Sequence, residues 1–516
     1  MIDNKINRGL NRAFHILFFI TFGWVFLNVV GSYTAHTFVY ITGGVLLALA
    51  TAGMVILMKK EDCLTFKKVN IIFAIFFGVM IIGQLYMGYS LQYNPGTDLG
   101  SLHAMAKSFG ETGDFHAIYN NTDKVSQGYL ARYNNNFGIF ILLGYFYRFV
   151  YLIFGRIPLM APILLNILAI DVAVLFTFLI AKKIFKKPAV IALTVLMFIF
   201  VPFYTYTAYF YTDSLSIPFA VIPIYLFLCA VKSQKRVVKY IQLFFCGALI
   251  LIGYELKGSL LILLLGTIIY TFLTIPIKRA LAILLAVVAG FGSFYMVFNL
   301  SVKAMSFTSE EELYEQQYPL THWIMMGLNG NGGFNQKDST FTRKSGNYDE
   351  KKAANIAEIK NRLSEMGVTG LYDHLMEKSL YTWADGNYYI EHHLEDDPIY
   401  PDNLPHKFFL KSGQYYNWYY LYSNGFHIFM LLLIMVSILA GCIKSKVDIM
   451  TLLKGLIFAV FIFFLIWEAR SRYIFNLTPI YLLVATDGLT IIGTFIKKFI
   501  DNKKLKAKTT KAQRQQ

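Results

Sequence analysis

The chain has 516 residues, of which 56% are apolar and 15% charged, with 13 Pro and 4 Cys. Soluble domains average about 45–50% apolar and about 25% charged. A water-exposed globule, a disordered or collagen-like chain and a disulfide scaffold are therefore excluded, and a polytopic membrane protein remains. The net charge of +16 is gathered in short clusters at the ends of apolar runs, with no basic, aromatic-interleaved polar domain, so nucleic acid is not an expected partner. Cys63 falls in a basic loop and Cys229, Cys246 and Cys442 in apolar runs, a pattern that suggests neither disulfides nor a metal site.

In chain order, the runs that can cross a hydrocarbon core of about 30 Å lie at 12–33, 36–58, 70–90, 158–181, 188–207, 213–232, 240–254, 259–276, 280–300, 426–443, 449–467 and 474–495. The expected fold class is an all-α polytopic membrane protein of about twelve transmembrane helices. The first run has no small-residue cleavage pattern after it and reads as a retained helix. Seven basic clusters set the topology: Lys5/Arg8/Arg12, Lys59/Lys60/Lys67/Lys68, Lys182/Lys183/Lys186/Lys187, Lys232/Lys235/Arg236/Lys239, Lys278/Arg279, Lys444/Lys446, and the tail 497–514. With both termini inside, twelve spans place all seven inside. The apolar run Phe137–Phe154 carries Arg148. A full crossing there would move every later cluster outside, so it reads as an interfacial or re-entrant segment.

The expected organisation is two N-terminal helices with a basic inner loop (1–69), a core with the first outside loop at 91–136 (70–300), an extracellular cap (301–425), C-terminal spans (426–500) and a basic tail (501–516). Within the cap, 349–366 reads as an amphipathic helix with Ala353, Ile356, Leu363 and Met366 on one face and Gly367 as its stop, and 370–383 reads as a second helix.

The candidate chemistry is on the outside. Asp98 opens a helix after Pro95–Gly96, with Thr97 able to cap it. At membrane depth its carboxylate can accept a proton or hold a metal, or be a helix-start charge alone. His103 is a supporting residue one and a half turns on. Asp213 sits at the mouth of a span after a Tyr-rich belt, as a second carboxylate, a metal ligand or an N-cap. Glu255 and Lys257 bracket a short turn, as a surface pair or with Lys257 meeting a phosphate. In IWEARSRYIF, Arg470 and Arg472 emerge on the outside against the charge bias, beside Glu468, and guanidinium forks match phosphate oxygens. Asp171 and Asp487 lie within spans, where they could stabilise helix contacts or form an ion path. Lys454 is near an inner span end and can snorkel. The stretch EHHLEDD (391–397) reads as a solvated acidic loop, because consecutive ligands do not converge easily on one ion. No P-loop, GxSxG, HExxH or Rossmann motif is present.

The order of these features resembles the GT-C fold of polytopic glycosyltransferases, which includes protein O-mannosyltransferases and the lipid A aminoarabinose transferase. The resemblance covers about 70–300. An Asp follows an early span in a long outside loop. An apolar surface segment (NNNFGIFILLGYFYRFVYLIFGRIP) follows, and then an Asp after a Pro- and Tyr-rich helix end. It departs from the mannosyltransferases at Leu99, where they carry a second acid, and at Asn134–Asn136, which replace prolines. The C-terminal half, with HWIMMGLNGNGGFN, KSLYTWADGNYY and EARSRYIF, resembles a group of Gram-positive membrane proteins assigned as glycosyltransferases of cell-surface polymers.

The resemblance implies an inverting hexosyltransferase-like enzyme in a bacterial cell membrane. Its donor would be a sugar on polyprenyl phosphate, and its acceptor a cell-surface polymer, lipid or protein. Asp98 would act as base or, with Asp213, as ligand of a divalent metal. Arg470, Arg472 and Lys257 would hold the lipid phosphate, with Glu468, His103 and Glu255 in support. The competing readings are a transporter or flippase of lipid-linked sugars, a surface-polysaccharide polymerase or ligase, and a non-catalytic envelope scaffold.

Overall fold

The computed structural model describes residues 5–119, 128–443 and 447–513, with side chains to 504. The expected basic pair Lys444/Lys446 and the end of the basic tail lie outside the described residues. The described chain is all-α, with one isolated bridge between Tyr93 and Pro398. We number the principal helices α1 (Lys5–Ser32), α2 (Thr37–Lys59), α3 (Phe66–Ser90), α4 (Thr97–Thr112), α5 (Phe137–Phe154), α6 (Met160–Ile184), α7 (Lys187–Ile199), α8 (Ile217–Lys232), α9 (Arg236–Leu256), α10 (Ile262–Thr274), α11 (Ile277–Met305), α12 (Tyr348–Trp383), α13 (Tyr416–Ile443), α14 (Ile449–Ile466) and α15 (Thr478–Gln513).

Among the described residues, eleven helices are long and apolar enough to cross a membrane, or twelve when α7 and the bent piece after it count as one span. This set differs from the expected one in two places. It contains 134–154, and it leaves the α10 region, Gly258–Thr274, short of the length.

Cross-chain contacts sort the helix ends into two groups. At one end, Lys187 reaches the carbonyl of Leu64, Lys232 that of Lys183, Asn7 that of Leu273, and Lys497 that of Met58. The basic clusters thus meet at one end of the bundle. At the other, Tyr33 binds Asn424, Asn403 binds the carbonyl of Ser90, and Tyr206 binds that of Tyr388. This second end carries the cap, and we call it the site end.

α5 belongs wholly to the site end. Its Gly138 lies against the backbone of Glu255, and just past its other terminus Ile157 packs on Gly110 while Met160 lies 3.9 Å from Gln92. A helix whose two ends return to the same level lies along the bundle end instead of crossing it. α4 packs parallel to it, with Phe109 against Gly144 and Gly110 against Tyr147.

Tight crossings hold the bundle. α9 and α11 approach until a side chain on Gly247 would strike the carbonyl of Val287 and one on Gly290 that of Phe244, the small-residue contact that lets helices pack without a hydrophobic drive in lipid. Lys454 does not snorkel. It is buried and donates to the carbonyl of Ser437 at 2.8 Å, next to the Ser437–Asp487 hydrogen bond.

In the cap, α12 breaks at Gly367 (φ 58°, ψ −164°), the position expected to stop a helix and one only glycine adopts without strain. The buried face of its first half is not the expected one. Lys351, Asn355 and Arg362 turn inward, and Ile356 and Leu363 stay exposed. The reason is polar. Arg362 pairs with buried Asp338, Asn355 accepts from Thr342, and Lys351 reaches the carbonyl of Glu315.

Candidate functional site

The loop after α3 and the turn before α8 bring the first two carboxylates to the site end. α4 begins at Thr97 with Gly96 as its N-cap; Thr97 makes no capping bond and has a left-handed φ of 50°. Asp98, in the first turn, accepts from Tyr129 Oη at 2.8 Å, and that hydroxyl also takes a bond from Asn136. Among the described residues Asp98 has no cation partner. His103 bonds Tyr147 Oη at 2.7 Å, with its ring edge on Phe210.

Asp213 is fully buried, and each oxygen faces a cation: Lys257 Nζ at 2.5 Å and Arg472 Nη1 at 2.7 Å. Three residues distant in sequence thus form one buried triad. Lys257 pairs with Asp213 and not with Glu255, so the turn-pair alternative is replaced. Glu255 makes no ion pair among the described residues and lies by Gly138 of α5. With both Asp213 oxygens engaged, a shared metal on Asp98 and Asp213 loses one of its ligands. Among the described residues no three His, Cys, Asp or Glu groups gather as metal ligands.

The triad has aromatic walls. Arg472 also donates to Tyr209 Oη at 2.9 Å, and its guanidinium lies 5.3 Å from the Tyr211 ring and 4.8 Å from that of Tyr473. Lys257 lies over Tyr473, whose hydroxyl donates to Glu468. Arg470 donates to Tyr381 Oη and stacks on Tyr389 at 4.3 Å. Tyr209 and Tyr211 link the parts. Burial raises the Tyr211 hydroxyl first, and Asp98 pushes it further up while Arg472 opposes. Tyr209 feels Arg472, Asp213, Asp98 and Arg470 together. The Asp98 carboxylate and the cation cluster therefore both act on one tyrosine strip. Burial lowers Lys257 and raises Glu468, and the opposite charges around each offset this in part.

The chain belongs to a family of conserved hypothetical integral membrane proteins, whose model matches residues 2–490. No curated protein and no solved structure matches it.

In this member of the family, the C-terminal motifs converge on the arginines. The backbone of Glu468 bonds the carbonyl of Trp323, and that of Ala469 bonds the carbonyl of Gly332, so the HWIMMGLNGNGG segment, with its glycine-rich turn, holds EARSR by main chain. Asp385 accepts from Ser471 Oγ and from the amides of Asn387 and Tyr389, fixing the left-handed Tyr388–Tyr389 pair under Arg470. Lys378, buried beneath that turn, bonds the carbonyl of Gly327, and burial pushes its ammonium down to about 7.

The stretch 391–397 is not a solvated loop. His393 stacks on Tyr209 at 4.3 Å, Glu391 is buried, and Asp397 bonds Asn94 through both backbone and side chain. His392, Asp396 and Asp397 stay exposed. The segment closes over the Asp98 loop and the triad at once. Sequence reasoning missed Tyr209, Tyr211, Tyr381, Asp385, Tyr389 and His393. The available signal was the clustering of Tyr and His in otherwise apolar flanks.

Proposed function

We propose that this protein is a membrane glycosyltransferase. It moves a sugar from a polyprenyl-phosphate donor to an acceptor hydroxyl of a cell-surface polymer, lipid or protein. The observation that carries the reading is one carboxylate without a cation partner among the described residues, Asp98, acting on the same tyrosine strip as Arg470 and Arg472, with Lys257 beside them. A base and an anion holder acting on one strip are what an in-line displacement needs. Asp98 takes the acceptor proton as the acceptor oxygen bonds the anomeric carbon. The bond from that carbon to the phosphate oxygen breaks, and polyprenyl phosphate leaves on the cations with inversion. Arg472 donors beyond the Asp213 contact, and Arg470, meet the developing phosphate charge. The GT-C resemblance over 70–300 supports the same assignment. The positive-inside rule supports a cytoplasmic basic end and a site at the outer face, and the resemblance supports a bacterial cell membrane.

The chemistry is testable in nanodiscs with a labelled polyprenyl-phosphate hexose. Asp98→Asn should lower turnover at least about a hundredfold with folding intact; unchanged turnover sinks the base role, and no transfer by the unmutated protein with any such donor sinks the reading. A transport path through Asp171 and Asp487 has less support, because Asp487 is already engaged with Ser437.

A further inference from the structure

Two buried nitrogens of the site have no hydrogen-bond partner among the described residues: Arg472 Nε and His393 Nε2. They flank the same phenol. The His393 ring is stacked on Tyr209 at an interplanar angle of 15°, and the Tyr209 hydroxyl takes the bond from Arg472 Nη1. A buried donor left unmade costs about 1–3 kcal/mol, so two on side chains that meet the same phenol call for an acceptor atom.

The chemistry of that atom is constrained. Arg Nε is only a donor. Burial first, then Arg472, His392 and Arg470, hold the His393 imidazole well below its usual range, so it is neutral at pH 7 and donates from one nitrogen. The atom that accepts from both is an oxygen with two free lone pairs, as a phosphate oxygen has. The triad beside it carries two cations against one carboxylate, which favours an anionic one. A neutral donor also suits a leaving group that must depart, since another fixed cation would retain it.

The geometry points to His393 Nε2 and Arg472 Nε as a paired donor set for the phosphate of the lipid-linked sugar, which makes His393 a substrate-contacting residue. This rests on the polyprenyl-phosphate reading above.

The test uses the full chain in nanodiscs, with a short-chain polyprenyl phosphate, the matching polyprenol and inorganic phosphate as probes. His393→Phe keeps the stack on Tyr209 and removes the donor. His393→Gln restores an amide N–H near the Nε2 position. The expected result is a roughly tenfold or larger loss of polyprenyl-phosphate affinity in H393F, unchanged polyprenol binding, and recovery of most of the loss in H393Q. In the unmutated protein, polyprenyl phosphate but not polyprenol should protect His393 from carbethoxylation, a readout that needs no variant. Equal binding of polyprenyl phosphate by H393F and the unmutated protein, or equal loss of both lipids, overturns the role of His393 and leaves the glycosyltransferase reading standing. Inorganic phosphate binding as tightly as the lipid phosphate overturns the lipid source. An unmutated protein that binds no lipid phosphate overturns both proposals.

Discussion

Two buried ion clusters sit at the same end of this molecule and are built to different standards. In the cap, Arg362 gives Nη1 and Nη2 to the two oxygens of Asp338 at 2.9 and 2.8 Å and Nε to Glu358, and Asn329 adds a further bond to Asp338. Each of its three guanidinium nitrogens is engaged. In the site, Arg472 shares Nη1 between Asp213 and Tyr209 while its Nε is idle. A buried network with every member satisfied fixes a shape, and one with an idle donor keeps a bond to give to a ligand.

The largest effects should separate the two. Arg362→Ala strands the Asp338 carboxylate and should cost about 3–5 kcal/mol, with no recovery on adding lipid. Asp213→Asn leaves Lys257 and Arg472 without their counter-charge and should destabilise the empty protein comparably. There, a short-chain polyprenyl phosphate should supply the missing negative charge and raise the melting temperature. Thermal unfolding of both variants with and without that lipid checks the contrast. An equal lipid response in the two variants, or none in Asp213→Asn, breaks the distinction between a structural cluster and a binding one.

Much of this was legible in the sequence, for a physical reason. Topology follows from where lysines sit relative to apolar runs, and that is local information. Hence the basic clusters that the charge rule groups together do meet, as Lys187 and Leu64 or Lys232 and Lys183 show. Asp98, Asp213, Lys257, Arg470 and Arg472 stand out because a charge in an apolar context demands a partner. The partners themselves were not legible. Arg472 finds Asp213 across 259 positions, and Tyr206 finds Tyr388 across 182. Interfacial tyrosines are common enough to carry no signal alone. Amphipathic periodicity misled on α12, because Asp338 and Thr342 stand on its polar side and draw Arg362 and Asn355 inward.

A smaller effect concerns pH and the cap. His322 is buried and donates from Nδ1 to Thr342, whose own proton goes to Asn355. Burial lowers the imidazole to about 4, with Asp338 opposing weakly. Its folded value lies below that of the unfolded chain, near 6.5. The unfolded state therefore takes the proton first as pH falls, and stability present above about 6.5 is lost on the way to about 4. Unfolding followed from pH 7 to 4.5 should show this slope in the unmutated protein. His322→Asn, which keeps a donor near Nδ1 and does not titrate, should flatten it. An identical slope in both would place the acid sensitivity elsewhere.

The smallest expected effect completes the comparison, because it holds distance constant. Lys303 and Glu310 lie 2.8 Å apart, the same separation as Arg362 and Asp338. Their side chains are 75% and 84% exposed, against 14% and 4% in the cap pair. Water screens the exposed pair, and ordering two long side chains offsets what attraction remains. Lys303→Ala should therefore leave the melting temperature where it is, at low salt and high salt alike. A fall approaching that of Arg362→Ala would mean that contact distance, and not exclusion of water, sets the strength of these pairs. The idle nitrogens of the site would then be no guide to where a ligand binds.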